Sequence, residues 1–454
     1  MTLQTMNTIA HHSSQLTEHM LAKLGLLPDE AAHQPPEPVN IPLACGRIAA
    51  LVGPSGSGKS RALNALALRA GERIHTASPR DIPISEIWLC DWLARMGLET
   101  RAKELLPSFG LLDARVLRTP LRALSAGQRA RLGLLAALAR CNPGDTLVLD
   151  EFCAELDVLS ARAIAHVIRR MVLRFELRCA IATNREEILP DLAPDTLIRF
   201  TATGGYRFDA YPRQRGLLHS LRVRPATKAH WRAFAPYHHR GRTLAPVAGI
   251  FVAEIAGRDV GIAVYSHAGH GCRARQGVLP AEFCSGSIGE RLDAINGNLR
   301  VLHRVVVIPE LRGIGVAAEL VRRTLPFCGV DYVECIASDA GFLERAGMQR
   351  AGDVPPGPQA QRLLSWLAAR CVSPRDIARE DARRAWLETL DACERAEFDS
   401  VLRRALRPYI ETHHSALRGQ VNAGTVSDQA LAKTGEMLLR LSCRPGYYVW
   451  SRAQ

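Results

Sequence analysis

Two patterns of hydrophobic and polar positions follow one another along the chain. Over residues 39–208, short apolar runs typical of buried strands alternate with longer amphipathic runs typical of helices. The apolar runs are RIAALV, TLVLDEF and CAIATN, and the helical runs are KSRALNALALRA and ARAIAHVIRRMVLRF. Because strands that alternate with helices form parallel sheets covered by those helices, we predict an α/β domain over this range.

The pattern changes after a Gly-Gly-Tyr turn. Short strands, hairpins and single helices over residues 216–356 predict a second α/β domain. Residues 357–454 are mostly charged amphipathic helix and end in the aromatic, strand-like run Tyr447–Trp450. If that run completes the sheet of the second domain, residues 357–443 form a helical insertion. If it pairs with the first sheet instead, that hypothesis fails.

Composition adds expectations about partners and location. The 454 residues carry a formal net charge of +13 and have a pI near 9.5, which favours an anionic partner, most commonly nucleic acid. The polar leader over residues 1–38 lacks the apolar stretch of a secretory signal, and no apolar run is long enough to span a membrane. The twelve cysteines form no C-x-x-C pair, which indicates reduced thiols. We therefore expect a cytoplasmic protein with no membrane partner.

A phosphate-binding loop follows the first predicted strand. The segment Gly53–Ser60, GPSGSGKS, fits G-x4-G-K-[ST] and lies between a strand and a helix, as this motif requires. Its glycines let backbone amides point at a phosphate, the lysine adds positive charge, and the final hydroxyl can bind Mg²⁺. We expect these residues to bind a nucleoside triphosphate and its metal: Gly53, Ser55, Gly56, Gly58, Lys59 and Ser60.

A carboxylate pair ends the apolar run that begins at Thr146. Ligands of open α/β sheets bind at the carboxyl ends of the strands, where Asp150 and Glu151 are expected to lie. We expect Asp150 to hold Mg²⁺ through water and Glu151 to polarise the water that attacks the γ-phosphate.

The run Leu124–Arg129, LSAGQR, resembles the signature LSGGQ of ABC-type ATPases. The serine can cap the helix that follows, whose N-terminus then offers amides to a phosphate. The resemblance implies a head-to-tail homodimer around two ATP molecules, each bound by Lys59 of one protomer and by Ser125, Gly127 and Gln128 of the other.

Two further positions complete the resemblance, and others depart from it. Asp157 occupies the D-loop position, and Asn184 stands where the family has a switch histidine. No glutamine between Ser60 and Leu124 can form a Q-loop, and the stretch before the signature is short for a transporter subunit. These departures argue against transport.

A strand, a Gly-rich turn and a helix also occur in the second predicted domain. The turn fits R-x-x-G-x-[GA], and the later segment Gly341–Met348 resembles the closing helix of the GNAT acetyltransferases. The chain as a whole therefore resembles ABC-type ATPases fused to a predicted acetyltransferase domain. The resemblance implies that acetyl-CoA binds at Val306, Val307, Arg312, Gly313, Ile314, Gly315, Val316 and Ala317.

Two residues of this second domain are candidate acid–base groups. His303 is a possible base or a structural strand residue, and Asp339 is a possible base or a helix cap. Phe342 stands where the family often has a catalytic tyrosine, so Tyr332 or water could substitute, or the domain could bind CoA without turnover.

The sequence is compatible with three classes of acyl acceptor: nucleic acid, protein and a small amine. Arg222, Arg224, Lys228 and Arg232, interleaved with aromatic residues, suit RNA or DNA if the aromatic rings are exposed for base stacking. Trp231 and Phe234 equally suit the buried face of a helix. A further alternative is an ATPase clamp on nucleic acid with a non-catalytic acyl-CoA module.

Overall fold

The computed structural model describes residues 20, 23, 39–69, 73–202, 205–212, 214–238, 244–338, 341–414, 417, 421–422 and 425–452. Their chain divides into two compact units. The first comprises the described residues up to Ala102 and from Pro120 to Gln214, and the second comprises Lys103–Thr119 and the described residues from Arg215 onward. None of the helices among these residues combines the length and apolar character needed to cross a bilayer.

The first sheet is built from six strands. They are β1 (Arg47–Val52), β2 (Ile74–Thr76), β3 (Thr146–Leu149), β4 (Arg178–Thr183), β5 (Thr196–Phe200) and β6 (Tyr206–Asp209). Their order is β2-β3-β4-β1-β5-β6, and all neighbours are parallel except β5 and β6. Every residue of β3 is buried, as in a parallel sheet covered on both faces.

Helices follow several of these strands in the chain. Over residues 59–192 they are α1 (Lys59–Arg69), α2 (Leu89–Arg95), α3 (Glu99–Leu105), α4 (Ala114–Leu117), α5 (Ala126–Arg140), α6 (Val158–Arg174) and α7 (Leu189–Leu192). Of these, α1, α5 and α6 contact the sheet, and α4 belongs to the second unit. Helices α5 and α6 are the longest of these, and each buries a row of aliphatic side chains. This confirms the α/β class predicted for this part of the chain.

The register of the first sheet brings three sequence motifs to one edge. Val52 of β1 is paired with Thr183 of β4, and Leu149 of β3 with Ile181 of β4. The residues that follow these strands are Gly53, Asp150 and Asn184, so the phosphate loop, the carboxylate pair and the switch position share the carboxyl edge of the sheet.

The second sheet has seven strands. They are β7 (Arg222–Pro225), β8 (Val247–Ile255), β9 (Arg258–His267), β10 (Leu299–Val307), β11 (Tyr332–Ala337), β12 (Gln349–Asp353) and β15 (Gly446–Ser451), while β13 (Val421–Asn422) and β14 (Thr425–Val426) form a separate hairpin. The helices between β7 and β12 are α8 (Lys228–Phe234), α9 (Ile288–Asn298), α10 (Val316–Thr324) and α11 (Gly341–Arg345).

The final strand lies inside this sheet, whose order is β12-β15-β11-β10-β9-β8-β7. Strand β15 pairs antiparallel with both β11 and β12. Five helices, α12 (Pro358–Ala368), α13 (Glu380–Glu388), α14 (Ala392–His413), α15 (Asp428–Leu431) and α16 (Thr434–Ser442), occur in the chain between β12 and β15. They pack on one another around Leu363, Phe398 and Leu406, so the described residues between β12 and β15 form an insertion with its own core.

Strands β10 and β11 are parallel but pair only at their amino ends. Three residue pairs join them, the last being Val301 with Glu334, although both strands continue beyond that point. Beyond it, β10 pairs with β9 and β11 with β15. The register with β9 also shifts between Leu302 and Arg304, which makes His303 the extra residue of a bulge. The two strands therefore diverge and leave a gap between their carboxyl ends.

Candidate functional site

The phosphate loop holds its lysine across its own backbone. Lys59 Nζ lies 2.8 Å from Gly53 O, 2.6 Å from Pro54 O and 3.5 Å from Ser57 Oγ. Burial lowers the pKa of Lys59, while the nearby charge of Asp150 opposes that shift. The ammonium group and the first carboxylate of the pair thus lie close enough to interact, as a shared site for a triphosphate and Mg²⁺ requires.

Gly53 occupies a position that no other residue suits. Its φ is +148°, and a methyl group there would lie 2.6 Å from Phe200 O on β5. Gly56 and Gly58 also have φ values in the left-handed region, at +80° and +97°, with open space around them. The loop therefore needs glycine at Gly53 for close packing and at the other two for backbone conformation.

The carboxylate pair stands on a strained turn. Asp150 and Glu151 are both exposed, and Asp150 Oδ1 accepts a hydrogen bond from the backbone amide of Glu151 at 2.9 Å. Glu151 has φ +48° and Cys153 has φ +64°, values that cost free energy for residues with a side chain. Such strain is found preferentially at functional sites, which suits the role expected for Glu151.

The signature segment begins α5 with a reciprocal cap. Gln128 N donates to Ser125 Oγ at 3.2 Å, and Ser125 N donates to Gln128 Oε1 at 2.9 Å. Arg129 anchors the segment to two backbone carbonyls, since its guanidinium donates to Ile82 O at 2.8 Å and to Leu121 O at 2.7 Å. Ser125 remains exposed, so the capped helix N-terminus is accessible to a phosphate.

A buried arginine connects this helix with the D-loop position. Arg131 Nη2 donates to Ser160 Oγ at 2.9 Å in the first turn of α6, where Asp157 caps the helix by accepting from Ser160 N at 3.0 Å. A methyl group at Gly127 would lie 3.4 Å from Leu156, one residue before the cap. The signature helix and the D-loop of one chain therefore touch, a contact the sequence motifs do not reveal.

A second arginine ties the switch position to the same region. Asn184 is exposed after β4, and the next residue, Arg185, donates through Nη1 to Cys153 O at 2.9 Å and also to Leu156 O. Thr183 Oγ1 donates to the carbonyl of Phe152 at 3.1 Å. Arg131 and Arg185 belong to none of the sequence motifs, and both contact residues that are far away in the sequence.

A cavity of about 280 Å³ occupies the gap between β10 and β11. Its wall includes Cys272, Arg275, His303, Arg304, Glu334 and Ile336. His303 Nδ1 lies 3.3 Å from Ser266 Oγ. Burial and the charges of Arg304 and His238 lower the pKa of His303 to about 4, so its imidazole is neutral at pH 7 and weakly basic.

A buried ion pair forms one side of this cavity. Arg275 Nε and Nη2 donate to the two carboxylate oxygens of Glu334 at 2.8 and 2.6 Å, and Tyr447 Oη donates to the same carboxylate at 2.7 Å. The side chains of Arg275 and Glu334 are 1% and 5% exposed. These three residues come from a short 3-10 helix (Arg273–Arg275), from β11 and from β15, and sequence reasoning missed this network.

The Gly-rich turn before α10 is in contact with another part of the second unit. Gly313 and Gly315 have φ +81° and +110°, as the motif predicts. A methyl group at Gly313 would lie 2.7 Å from Ser108 O, and Arg312 donates to Val307 O at 3.0 Å and Leu112 O at 3.4 Å. The expected pyrophosphate contact at Arg312 and Gly313 is therefore covered by the segment that contains Ser108.

The remaining residues of this loop are mostly interior. Val306, Val307, Ile314 and Val316 are buried, while Ala317 is half-buried at the start of α10. The side chains of the four buried residues therefore serve the core rather than a ligand.

The other acid–base candidates divide into three cases. Asp339 lies outside the described residues. Phe342 is half-buried in α11, so no hydroxyl stands at the position where the family often has tyrosine. Tyr332 packs edge-on against Phe283 with ring centroids 5.5 Å apart, at the amino end of β11. Tyr332 therefore lies at the end of β11 where the strand is paired with β10, and not where the two strands separate.

The aromatic residues expected to stack on nucleic acid are buried. Trp231 is 5% exposed and Phe234 is 2% exposed, so both belong to the core face of α8. Arg224 pairs with Asp259 at 2.7 Å and with Glu254 at 3.4 Å. The stacking interpretation is wrong for these two rings, because the helix covers the sheet with its apolar face.

Comparisons with known proteins give a limited likeness. No protein-family model and no curated protein matches the chain. Among solved structures, cbiO1 of Clostridium perfringens, part of the cbiONQ ABC transporter complex, matches 37% of this chain and 78% of its own at 20% identity and TM-score 0.30.

Two other ABC structures give similar values. A putative metal-chelate type ABC transporter in an inward-facing conformation matches 40% of this chain and 82% of its own at 17% identity and TM-score 0.31. A dimeric bacterial ABC transporter cassette matches 38% and 87% at 20% identity and TM-score 0.32. Values this low do not establish a family, so a functional assignment depends on the geometry of the site.

Proposed function

We propose that the first unit is an ABC-type ATPase that binds ATP with Mg²⁺ and hydrolyses it in a head-to-tail homodimer. The observation that carries this proposal is the sheet register that brings the phosphate loop and Asp150 to one edge, together with an exposed, capped signature helix. A lone phosphate loop serves many enzymes, whereas the exposed, capped N-terminus of the signature helix suits a nucleotide bound by a second protomer.

Each residue then has a defined role. Lys59, now held by Gly53 O and Pro54 O, would bind the β- and γ-phosphates, and Ser60 and, through water, Asp150 would hold Mg²⁺. Glu151 polarises the attacking water. ATP supplies the phosphoryl group, and the chain contributes only position and charge.

Hydrolysis and dimerisation are tested together by mass measurement in solution with and without ATP. Glu151→Gln should abolish phosphate release and trap an ATP-dependent dimer, since water activation is lost while ATP binding remains. Lys59→Ala should lose both ATP binding and the dimer. Asp91→Asn, an exposed carboxylate on α2, serves as the charge-matched control. A monomer at saturating ATP in the Glu151→Gln variant would contradict the head-to-tail arrangement.

We further propose that the second unit transfers an acyl group from acetyl-CoA to an amine. Support comes from the separation of β10 and β11 after Val301 and Glu334, where a bulged, neutral His303 lies at the wall of a cavity. In the reaction the amine nitrogen forms a bond to the acyl carbon, the carbon–sulfur bond breaks, and the proton of the nitrogen goes to the thiolate of CoA. His303 accepts a hydrogen bond from the incoming amine.

Acetyl-CoA requires a rearrangement of the loop that precedes α10. Its pyrophosphate would bind the amides around Gly313 and Gly315, yet Ser108 covers Gly313. We therefore propose that acetyl-CoA and the segment around Ser108 compete for this loop. That segment lies in the sequence between the phosphate loop and the signature motif, which offers a route by which ATP could control acyl transfer.

Of the acceptor classes open from the sequence, a small or protruding amine has the most support. A cavity of about 280 Å³ holds a small molecule, and the two rings proposed to stack on nucleic acid are buried. Labelled acetyl-CoA offered with RNA, DNA, protein and small-amine pools, with and without ATP, identifies the acceptor. Gly315→Glu blocks the loop before α10 and is the matched negative control. Label that never leaves CoA in any pool would contradict the proposed acyltransferase activity.

A further inference from the structure

Two neighbouring aromatic side chains are exposed on β6, the edge strand of the first sheet. Tyr206 is 38% exposed and Phe208 is 54% exposed. They alternate with Arg207 and Asp209, which pair with each other at 2.9 Å, and Asp209 also pairs with Arg199 on β5. Because successive residues of a strand point to opposite faces, the ion pairs occupy one face of β6 and the rings occupy the other. Contiguous exposed apolar side chains are typical of binding surfaces.

Strand pairing places these rings beside the phosphate loop. Tyr206 is paired with Phe200, the last residue of β5, and their ring centroids are 5.9 Å apart. Phe200 in turn lies against the first residue of the loop, since a methyl group at Gly53 would be 3.0 Å from Phe200 Cβ. Tyr206 therefore contacts a side chain that itself packs on the start of the phosphate loop.

The rings also share a face of the sheet with α1, the helix that follows the loop. Phe200 and Ile198 of β5 belong to one core cluster with Leu63 of α1. Tyr206 is paired with Phe200 and Phe208 with Ile198, and directly paired residues of antiparallel strands point to the same face. A nucleotide held by its phosphates at the start of α1 therefore has an exposed aromatic surface beside it, on the same face of the sheet.

The arrangement of the two rings suits a platform for a base. Tyr206 and Phe208 meet edge-on, with centroids 6.1 Å apart and planes at 83°, an arrangement that aromatic pairs prefer. This contact fixes the orientation of the tyrosine ring, whose exposed part can stack on a base. The segments that flank the phosphate loop in the chain, residues 39–52 and α1, contain no aromatic residue, so a stacking ring has to come from another part of the fold.

We propose that Tyr206 stacks on the base of the nucleotide whose phosphates bind at the phosphate loop, and that Phe208 is a positioning residue that holds the tyrosine ring. The proposal deepens the ATP binding proposed above and rests on it. It assigns base recognition to the hairpin of β5 and β6. A phosphate compound without a base cannot use this platform.

Binding is measured by calorimetry on the full chain with Mg²⁺ and two probes, ADP and inorganic pyrophosphate. Both offer a diphosphate to the loop, but only ADP carries a base, and ADP lacks the phosphate that is hydrolysed. Tyr206→Ala should weaken ADP binding about tenfold to a hundredfold, as for the loss of one base–aromatic stack, and leave pyrophosphate binding unchanged. Tyr206→Phe keeps the ring and should keep the affinity for ADP. Phe208→Ala should weaken ADP binding several-fold, again without an effect on pyrophosphate.

Two controls and one spectroscopic readout accompany these variants. Phe327→Ala removes a ring that is 75% exposed in the second unit and should change neither affinity. Lys59→Ala should weaken the binding of both probes together. Tyr206→Trp places a fluorophore at the platform, and its emission, after subtraction of the wild-type emission, should be quenched by ADP and not by pyrophosphate.

The outcomes separate this proposal from the ATPase itself. Unchanged ADP affinity in Tyr206→Ala, equal losses for ADP and pyrophosphate in that variant, or equal quenching by both probes in Tyr206→Trp overturns the stacking role. Those results leave the ATP site standing, provided that the wild type binds ADP and Lys59→Ala does not. A wild-type chain that binds neither probe overturns the ATP site and the platform together.

Discussion

Removal of Glu334 is expected to destabilise the second unit severely. The carboxylate accepts two hydrogen bonds from Arg275 and one from Tyr447, and both charged side chains are at most 5% exposed. Breaking a buried ion pair by deleting one partner typically costs about 3–5 kcal/mol, because the other charge stays buried without compensation. In Glu334→Ala the phenol of Tyr447 also loses its acceptor, so the upper part of that range applies.

The loss should be visible in the thermal transition of the second unit. For a unit of this size, about 1 kcal/mol corresponds to roughly 2–4 °C, so the melting temperature should fall by about 6–20 °C. Differential scanning calorimetry resolves that transition from the one of the first unit. The transition of the first unit, which contains neither residue, is the internal control.

A double variant distinguishes the charge from the loss of packing. Arg275→Met with Glu334→Gln removes both charges at similar volume, so its free energy of unfolding should lie closer to the wild type than that of Glu334→Ala. In the cycle formed by Arg275→Met, Glu334→Gln and the double variant, the coupling should be at least about 1 kcal/mol. A loss below about 1 kcal/mol in Glu334→Ala, or strictly additive losses in the cycle, would refute the buried network.

Three further predictions concern other contacts. Arg131→Met leaves the Ser160 hydroxyl without its buried donor, so the free energy of unfolding of the first unit should fall by about 1–3 kcal/mol. ATP hydrolysis should also fall while ATP binding persists. Unchanged turnover in a steady-state phosphate assay would contradict a functional connection between the signature helix and the D-loop. The pKa of His303 falls from 6.5 to about 4 on folding, so its contribution to the free energy of unfolding is fully present above pH 6.5 and is lost as the pH drops toward 4. In His303→Gln the melting temperature should therefore fall less between pH 7 and pH 5 than in the wild type. An identical fall would argue against a buried neutral imidazole. Asp113→Asn keeps the cap of α4 but removes the charge 3.5 Å from Arg312, which weakens the hold of the segment around Ser108 on the loop before α10. Acetyl-CoA should then bind several-fold more tightly, as measured by calorimetry. An unchanged affinity would show that this segment does not compete with acetyl-CoA.

Local motifs of the first unit were largely predictable. The strand–loop–helix at Gly53–Ser60 and the cap formed by Ser125 and Gln128 depend on residues within a few positions of one another. Backbone conformation at such sites is set by glycine, a cap residue or a β-to-α switch, all of which are visible in the sequence. The contacts of Arg131 and Arg185 were not, because their partners lie 29 and 32 positions away.

Predictions in the second unit failed where burial decided the outcome. Trp231 and Phe234 fitted either a nucleic-acid surface or a core face, and the spacing of residues does not say which face of a helix meets the sheet. The cover over Gly313 was also invisible, since Ser108 is far from the loop in the sequence.

The sequence alone determined the chemistry available at each loop: glycines and a lysine for phosphate, two carboxylates after a strand, and a Gly-rich turn before a helix. Only the tertiary structure decided what each loop touches. It joined Arg275 with Glu334 across 59 positions and Tyr447 with Glu334 across 113, because β15 lies beside β11 in the second sheet. Local propensity determines a turn or a cap within a few residues, whereas long-range pairing and burial depend on the whole fold and select the partners of every buried charge.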